Sequence, residues 1–152
     1  MTVLLSLSEQ HLISPIVSSD IPPDTTPVKL GLLASGNGSN FEALIQAIAN
    51  GQLRAEIPIV VYNNPGAAVA ARAQRWGIPA ILINHRDYQS REAFDLEVAQ
   101  TLLQAGCDWL IMAGWMRRVT DILLDRFPYR AINIHPSLLP SFPGIRAIEQ
   151  AL

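Results

Sequence analysis

Three short stretches of this 152-residue chain combine residue types able to do chemistry. Ser35-Gly-Asn-Gly-Ser-Asn40 follows an apolar run and leads into a helical pattern. It therefore brings backbone N–H groups to a helix N-terminus, lets a ligand approach closely at its glycines, and adds hydroxyl and amide side chains. Those are the parts of a monophosphate site, although a plain glycine-rich turn uses the same residues. Asn133-Ile-His135-Pro136 ends an apolar run, and alternation along a strand puts Asn133 and His135 on one side while Ile134 points into packing. An amide N–H and a protonated imidazole can stabilise an oxyanion, and the imidazole can also manage a proton. The competing reading is a strand-end histidine that only hydrogen-bonds a loop. The third stretch, Ala113-Gly-Trp-Met-Arg-Arg-Val119, offers Gly114 for a turn and Trp115, Met116 and Val119 for a flat apolar slot that takes an aromatic ring system. Core packing beside a solvated arginine pair accounts for it equally simply.

Other chemistries lack their residues. A dinucleotide fingerprint needs a small residue where Phe41 sits and an acid where the chain has Asn63-Asn64, and a nucleotide P-loop needs a Gly-Lys-Ser/Thr that is absent. No nucleophile elbow surrounds Ser137, and His11, His85 and His135 lack metal-ligand spacing, so neither a serine nucleophile nor a metal is expected. A net charge of -2, with Lys29 the single lysine, provides no basic stripe for nucleic acid. The N-terminus has no cationic region of a signal peptide, and no stretch approaches the ~20 apolar residues of a membrane span. Together with one cysteine, Cys107, read as a buried small hydrophobe, this points to the cytoplasm. Trp76 and Trp109 read as packing residues.

The elements that must position these stretches follow from apolar periodicity. Residues 1–27 are rich in Ser, Pro and Thr and read as a flexible leader, with Val3 to Leu7 or Ile13 to Val17 available as an edge strand or arm. Strands are predicted at Val28 to Ala34, Ile57 to Tyr62, Ala80 to Ile83, Trp109 to Met112 and Arg130 to Ile134. Between them lie helices from Phe41 to Ile48, stopped by Gly51; from Ala67 to Trp76, stopped by Gly77; after the N-cap Ser90, with Phe94, Val98, Thr101, Leu102 and Ala105 as one stripe; and from a Thr120 cap to Arg126. A further helix begins near Arg146. Regular alternation implies parallel strands with right-handed crossovers, hence one doubly wound, mostly parallel α/β sheet with helices on both faces over residues 28–152. In such sheets ligands sit beyond the carboxyl ends of strands, which directs attention to the loops after Ala34, Tyr62, Met112 and Ile134.

Taken together, Ser35-Gly-Asn-Gly-Ser-Asn40, Ser90-Arg-Glu-Ala-Phe94, Ala113-Gly-Trp-Met-Arg117, and Asn133-Ile-His-Pro-Ser-Leu-Leu-Pro140 with Phe142-Pro-Gly144 resemble the phosphoribosylglycinamide formyltransferase family, in order and spacing, from Val28 to Leu152. The resemblance implies a Rossmann-like formyltransferase fold. It also implies transfer of a formyl group from 10-formyltetrahydrofolate to the amine of 5'-phosphoribosylglycinamide, with no metal, in purine synthesis. Gly38, Ser39 and Asn40, helped by Arg91, would hold the substrate phosphate. Met116, Arg117 and Val119 would border the folate, and Asn133 and His135 would be catalytic, Asn133 also touching the folate. Pro140 resembles a family position with a cis peptide. Family members continue past the equivalent of Leu152 with further strands and an aspartate that orients the histidine, so the resemblance implies that residues 1–152 alone transfer weakly or not at all. Neither residue types nor resemblance indicate an oligomeric state.

Overall fold

A computed structural model describes residues 26–134, 141 and 149–150. The leader up to residue 25, His135, Pro140 and nearly all of the helix expected from Arg146 lie outside the described residues. Five strands, β1 (Val28–Ala34), β2 (Ala55–Tyr62), β3 (Ala80–Leu82), β4 (Trp109–Met112) and β5 (Ala131–Asn133), form one sheet in the order β3-β2-β1-β4-β5, and every pair is parallel. They alternate with helices α1 (Ser39–Ala49), α2 (Val69–Arg75), α3 (Arg91–Gln104) and α4 (Asp121–Leu124), plus a short 3-10 turn at His85–Asp87 that the periodicity did not reveal. This is the doubly wound, helix-flanked sheet expected from the sequence. Its strand order reverses between β1 and β4, so the switch-point crevice lies between the loops that follow those two strands.

Alternation along β1 sorts its side chains into two cores. Leu30, Leu32 and Ala34 pack with Phe41 and Ile45 of α1 and Val69 and Ala73 of α2, whereas Leu33 packs with Phe94, Val98 and Leu102 of α3 and Leu123 of α4. Because β1 is central and covered on both sides, it reads as a continuous apolar run. Each fully buried Leu or Val contributes roughly 1.5–3 kcal/mol relative to an exposed one. Gly31 faces α3 closely: a Cβ there would lie 2.7 Å from Leu102 Cδ2 and 2.9 Å from Cys107 Sγ.

β2 starts two residues earlier than its apolar run suggests, and its register against β1 shifts, with Lys29 opposite Glu56 but Gly31 opposite Ile59. The extra residue falls at Ile57-Pro58, where proline has no N–H to donate to a ladder. Consequently Ile57 joins the α1–α2 core although Ile59 belongs to the α3–α4 core.

The helix ends follow local chemistry. Ser90 Oγ accepts from the Ala93 N–H at 3.1 Å and caps α3, and Gly51 at φ 71° ends α1. At α4 the side chain of Thr120 makes no cap bond; instead its backbone N–H donates to Oδ2 of Asp95, a buried carboxylate on α3. That bond ties α3 to the start of α4. Cys107 is buried as expected, and Trp109 packs against the α1–α2 core. Trp76 differs: the residue is 37% exposed, and its indole N–H donates to Glu42 Oε1 at 2.8 Å.

Candidate functional site

The loop after β1 is a fixed structure held from three directions. Ser35 is buried; its N–H donates to the Gly114 carbonyl at 3.1 Å, and its Oγ accepts from the Met116 N–H at 2.9 Å. These bonds lock the loops after β1 and β4 together at the switch point. From β2's end, Asn64 Nδ2 donates to the Ser35 carbonyl at 2.7 Å. From α2, the Val69 N–H donates to the Gly36 carbonyl at 3.1 Å, and Arg72 Nε donates to the Asn37 carbonyl at 2.7 Å.

Gly38 is the N-cap of α1 with φ 75° and no side-chain cap bond, and a Cβ there would lie 2.6 Å from Val69 Cγ2. The residue is therefore dictated by backbone conformation and by the close approach of α2, whatever ligand the loop meets. Ser39 and Asn40 follow it in the first turn of α1, both exposed. Helix N–H groups at such an end are unpaired within the helix and carry the positive end of its dipole. Glu42, in the same turn, accepts from Trp76, from Arg72 Nη1 at 3.1 Å and from Arg75 Nη2 at 3.4 Å. The Trp76 indole N–H foremost, then Arg72, holds its carboxyl below the ordinary glutamate pKa.

On the opposite face of the sheet the loop after β4 rests on an aromatic stack. Trp115 lies parallel to Phe94 of α3 with ring centroids 6.0 Å apart, Tyr88 meets Phe94 edge-on at 5.5 Å, and the Arg117 guanidinium sits 5.3 Å from the Phe94 centroid. Trp115 is thus a buried support, while Met116 beside it is 66% exposed and Val119 is half-buried against the same core. Arg91 opens α3 one helical turn before Phe94 and Asp95, which touch residues 115–120, so the structure brings it to this side of the rim and not to the side of α1. Burial, reinforced by Glu97 and Asp87, raises the Tyr88 phenol above its ordinary pKa.

Asn133 is exposed on edge strand β5, in register opposite Met112. Its neighbours correct one expectation. Ile134 is 64% exposed and does not enter packing; with Ile132 it lines an apolar cleft of about 320 Å³ shared with Asn40, Ala43, Leu44, Ile111 and Ala113. Ile132 and Ile134 both stand exposed on the α1-side face of this strand. The cleft joins the start of α1 to β5, and alternation places Asn133 on the other face, with Met112 and Val119.

Sequence reasoning passed over Arg72, Glu42 and Asp95, and it placed Ser35 in the first loop without its bond to Met116. Asp95 had a signal, a carboxylate inside the apolar stripe of α3, whereas Arg72 looked like any exposed helix cation. Asn63 follows Tyr62 at the carboxyl rim. It is buried, and its carbonyl lies 3.1 Å from His85 Nδ1. Among the described residues, no three His, Cys, Asp or Glu side chains gather to hold a metal ion, and no helix is long and apolar enough to cross a membrane.

A parallel sheet with its loops gathered at the carboxyl rim around the β1/β4 switch point defines an open, doubly wound α/β domain. More particularly, the formyl transferase family model matches residues 28–152, and the chain belongs to that family, in its phosphoribosylglycinamide formyltransferase branch. It is 38% identical over 123 residues to the phosphoribosylglycinamide formyltransferase of Bacillus subtilis, covering 81% of this chain and 63% of that protein. It is 39% identical over 126 residues to the trifunctional purine biosynthetic protein adenosine-3 of Drosophila melanogaster, 82% of this chain and 9% of that one. The crystal structure of glycinamide ribonucleotide transformylase 1 from Symbiobacterium toebii superposes with a TM-score of 0.79 at 38% identity, over 83% of this chain and 59% of that one. The chain therefore spans less than two thirds of the length of each of these relatives.

Proposed function

We propose that this chain carries the substrate-phosphate loop and catalytic strand of an enzyme that moves a formyl group from 10-formyltetrahydrofolate to the amine of 5'-phosphoribosylglycinamide. The observation that carries the reading is the locking of the loops after β1 and β4 through Ser35, Gly114 and Met116, since it sets an anion-type helix start beside a loop that presents the exposed Met116 at the same switch point. In this reading Gly38, Ser39 and Asn40 hold the phosphate, and Arg91, at the start of α3 beside the loop after β4, contributes positive charge from across the rim. Met116, Arg117 and Val119 border the folate. The substrate amine attacks the formyl carbon, the Asn133 amide N–H stabilises the resulting oxyanion, and His135 handles the proton as the bond from carbon to the folate nitrogen breaks. The donor enters as a substrate, and no metal takes part. In this reading the enzyme works in the cytoplasm on small-molecule ligands.

Calorimetric titration of the chain tests the assignment. 5'-Phosphoribosylglycinamide is expected to bind measurably, its dephosphorylated riboside at least tenfold more weakly, and a formylfolate analogue without displacing the sugar phosphate. Equal affinity for the phosphorylated and dephosphorylated compounds would refute the phosphate loop.

A further inference from the structure

The loop that takes the phosphate in the reading above does not hold its own shape; one side chain from the next helix does much of it. Arg72 of α2 uses all three nitrogens of its guanidinium. Nε reaches the Asn37 carbonyl at 2.7 Å, Nη2 reaches Asn37 Oδ1 at 3.2 Å, and Nη1 reaches Glu42 Oε2 at 3.1 Å. We infer that Arg72 is a positioning residue for phosphate binding, setting the Asn37–Gly38 peptide and drawing the Glu42 carboxylate away from the start of α1. The inference rests on the reading of residues 38–40 as the phosphate site.

Two physical effects converge. In a trans peptide the carbonyl and the following N–H point to opposite sides, so a carbonyl of Asn37 fixed toward α2 by Arg72 fixes the Gly38 N–H away from that helix. Without that clamp the peptide could rotate, helped by the freedom of Gly36 and Gly38. The second effect is electrostatic. Glu42 lies in the first turn of α1, where a carboxylate interacts favourably with the helix dipole and so competes with any other anion there. Its three donors, Trp76, Arg72 and Arg75, all belong to α2 or its cap, and they hold the charge toward that helix and largely neutralise it. A lysine could restore the charge but not the planar fork that reaches three acceptors on two residues. The pair is partly solvated, with side-chain exposures of 26% for Arg72 and 20% for Glu42, so its direct contribution to fold stability is small. The consequence belongs to ligand affinity.

The test titrates the chain with 5'-phosphoribosylglycinamide and, separately, with a formylfolate analogue, alongside urea unfolding of each variant. Arg72→Ala is expected to weaken the sugar phosphate about tenfold, the scale of a charge-assisted hydrogen bond, and to leave the folate analogue unchanged. Arg72→Lys recovers less than half of that loss on a logarithmic scale, and adding Glu42→Gln to Arg72→Ala restores part of it by removing a charge that Arg75 and Trp76 alone only partly offset. Unchanged sugar-phosphate affinity in Arg72→Ala overturns the inference, as does parallel loss of both ligands, which marks a merely structural role. Should Arg72→Ala not fold, Arg72→Lys decides the matter: native-like affinity in that variant overturns the proposal. If the unmodified chain does not distinguish the phosphorylated compound from its riboside, it is the proposed function that fails.

Discussion

Replacing Gly38 with alanine separates two costs that the structure makes additive. The first is conformational: at φ 75° an L residue is in the left-handed region, which costs roughly 1–2 kcal/mol. The second is steric, because the new Cβ would lie 2.6 Å from Val69 Cγ2, 2.8 Å from Val69 Cβ and 3.0 Å from Val69 Cα. The last of these is backbone and cannot rotate away, so α2 has to shift, and forced overpacking of this kind costs about 1–3 kcal/mol. The sum, about 2–5 kcal/mol, is a large share of the roughly 5–15 kcal/mol that holds a domain together. Gly51→Ala supplies the control. Gly51 has φ 71° with open space where a Cβ would go, so it carries only the conformational part, about 1–2 kcal/mol. Equilibrium urea unfolding of both variants, followed by circular dichroism, measures the difference directly. Equal losses for Gly38→Ala and Gly51→Ala would show that the approach of α2 to the loop is slack, and the account of Gly38 as a packing contact would fall.

Three further outcomes follow from buried groups. Asp95→Ala leaves the Thr120 N–H without its acceptor and should cost about 1–3 kcal/mol in urea unfolding, while Asp95→Asn, which keeps an acceptor oxygen, should cost less; equal losses would contradict the role given to that oxygen. Ser35→Ala removes the acceptor of the Met116 N–H, so hydrogen exchange at Met116 should quicken with that at Gln46 of α1 unchanged; uniform acceleration would mean global destabilisation instead. Burial pushes the Cys107 thiol from 9.0 up to about 11, so it stays protonated in the fold while the unfolded chain ionises. Stability from this group is fully present below about pH 9 and is lost as pH rises toward 11, and Cys107→Ala should flatten that slope; a slope unaltered by the change would assign it to other groups.

How much of this was legible in the sequence depended on whether a residue's role was set locally. The central strands announced themselves as continuous apolar runs because they are covered on both faces, and Ser90, Gly51 and Gly77 marked helix ends through their own backbone preferences. The gathering of the loops after β1 and β4 was expected from a general rule for parallel sheets, but the bonds that lock them, through Ser35, Gly114 and Met116, join residues about eighty positions apart and leave no local trace. Arg72 was invisible for the same reason, since its acceptors lie on the preceding crossover. Ile134 was misjudged because alternation identifies a face without saying whether anything covers it. The 3-10 turn at His85–Asp87 is too short to show a period.

The extra residue in β2 gives that strand two phases. Below it the odd-numbered side chains, Ala55 and Ile57, look toward α1 and α2; above it the even-numbered Val60 and Tyr62 do so. An uninterrupted alternation running back from Val60 would turn the charge of Glu56 into the α1–α2 interior and eject Ile57 from it. The insertion therefore lets both ends of β2 bury apolar side chains against the same pair of helices, while the strand still delivers Asn63 and Asn64 to the carboxyl rim.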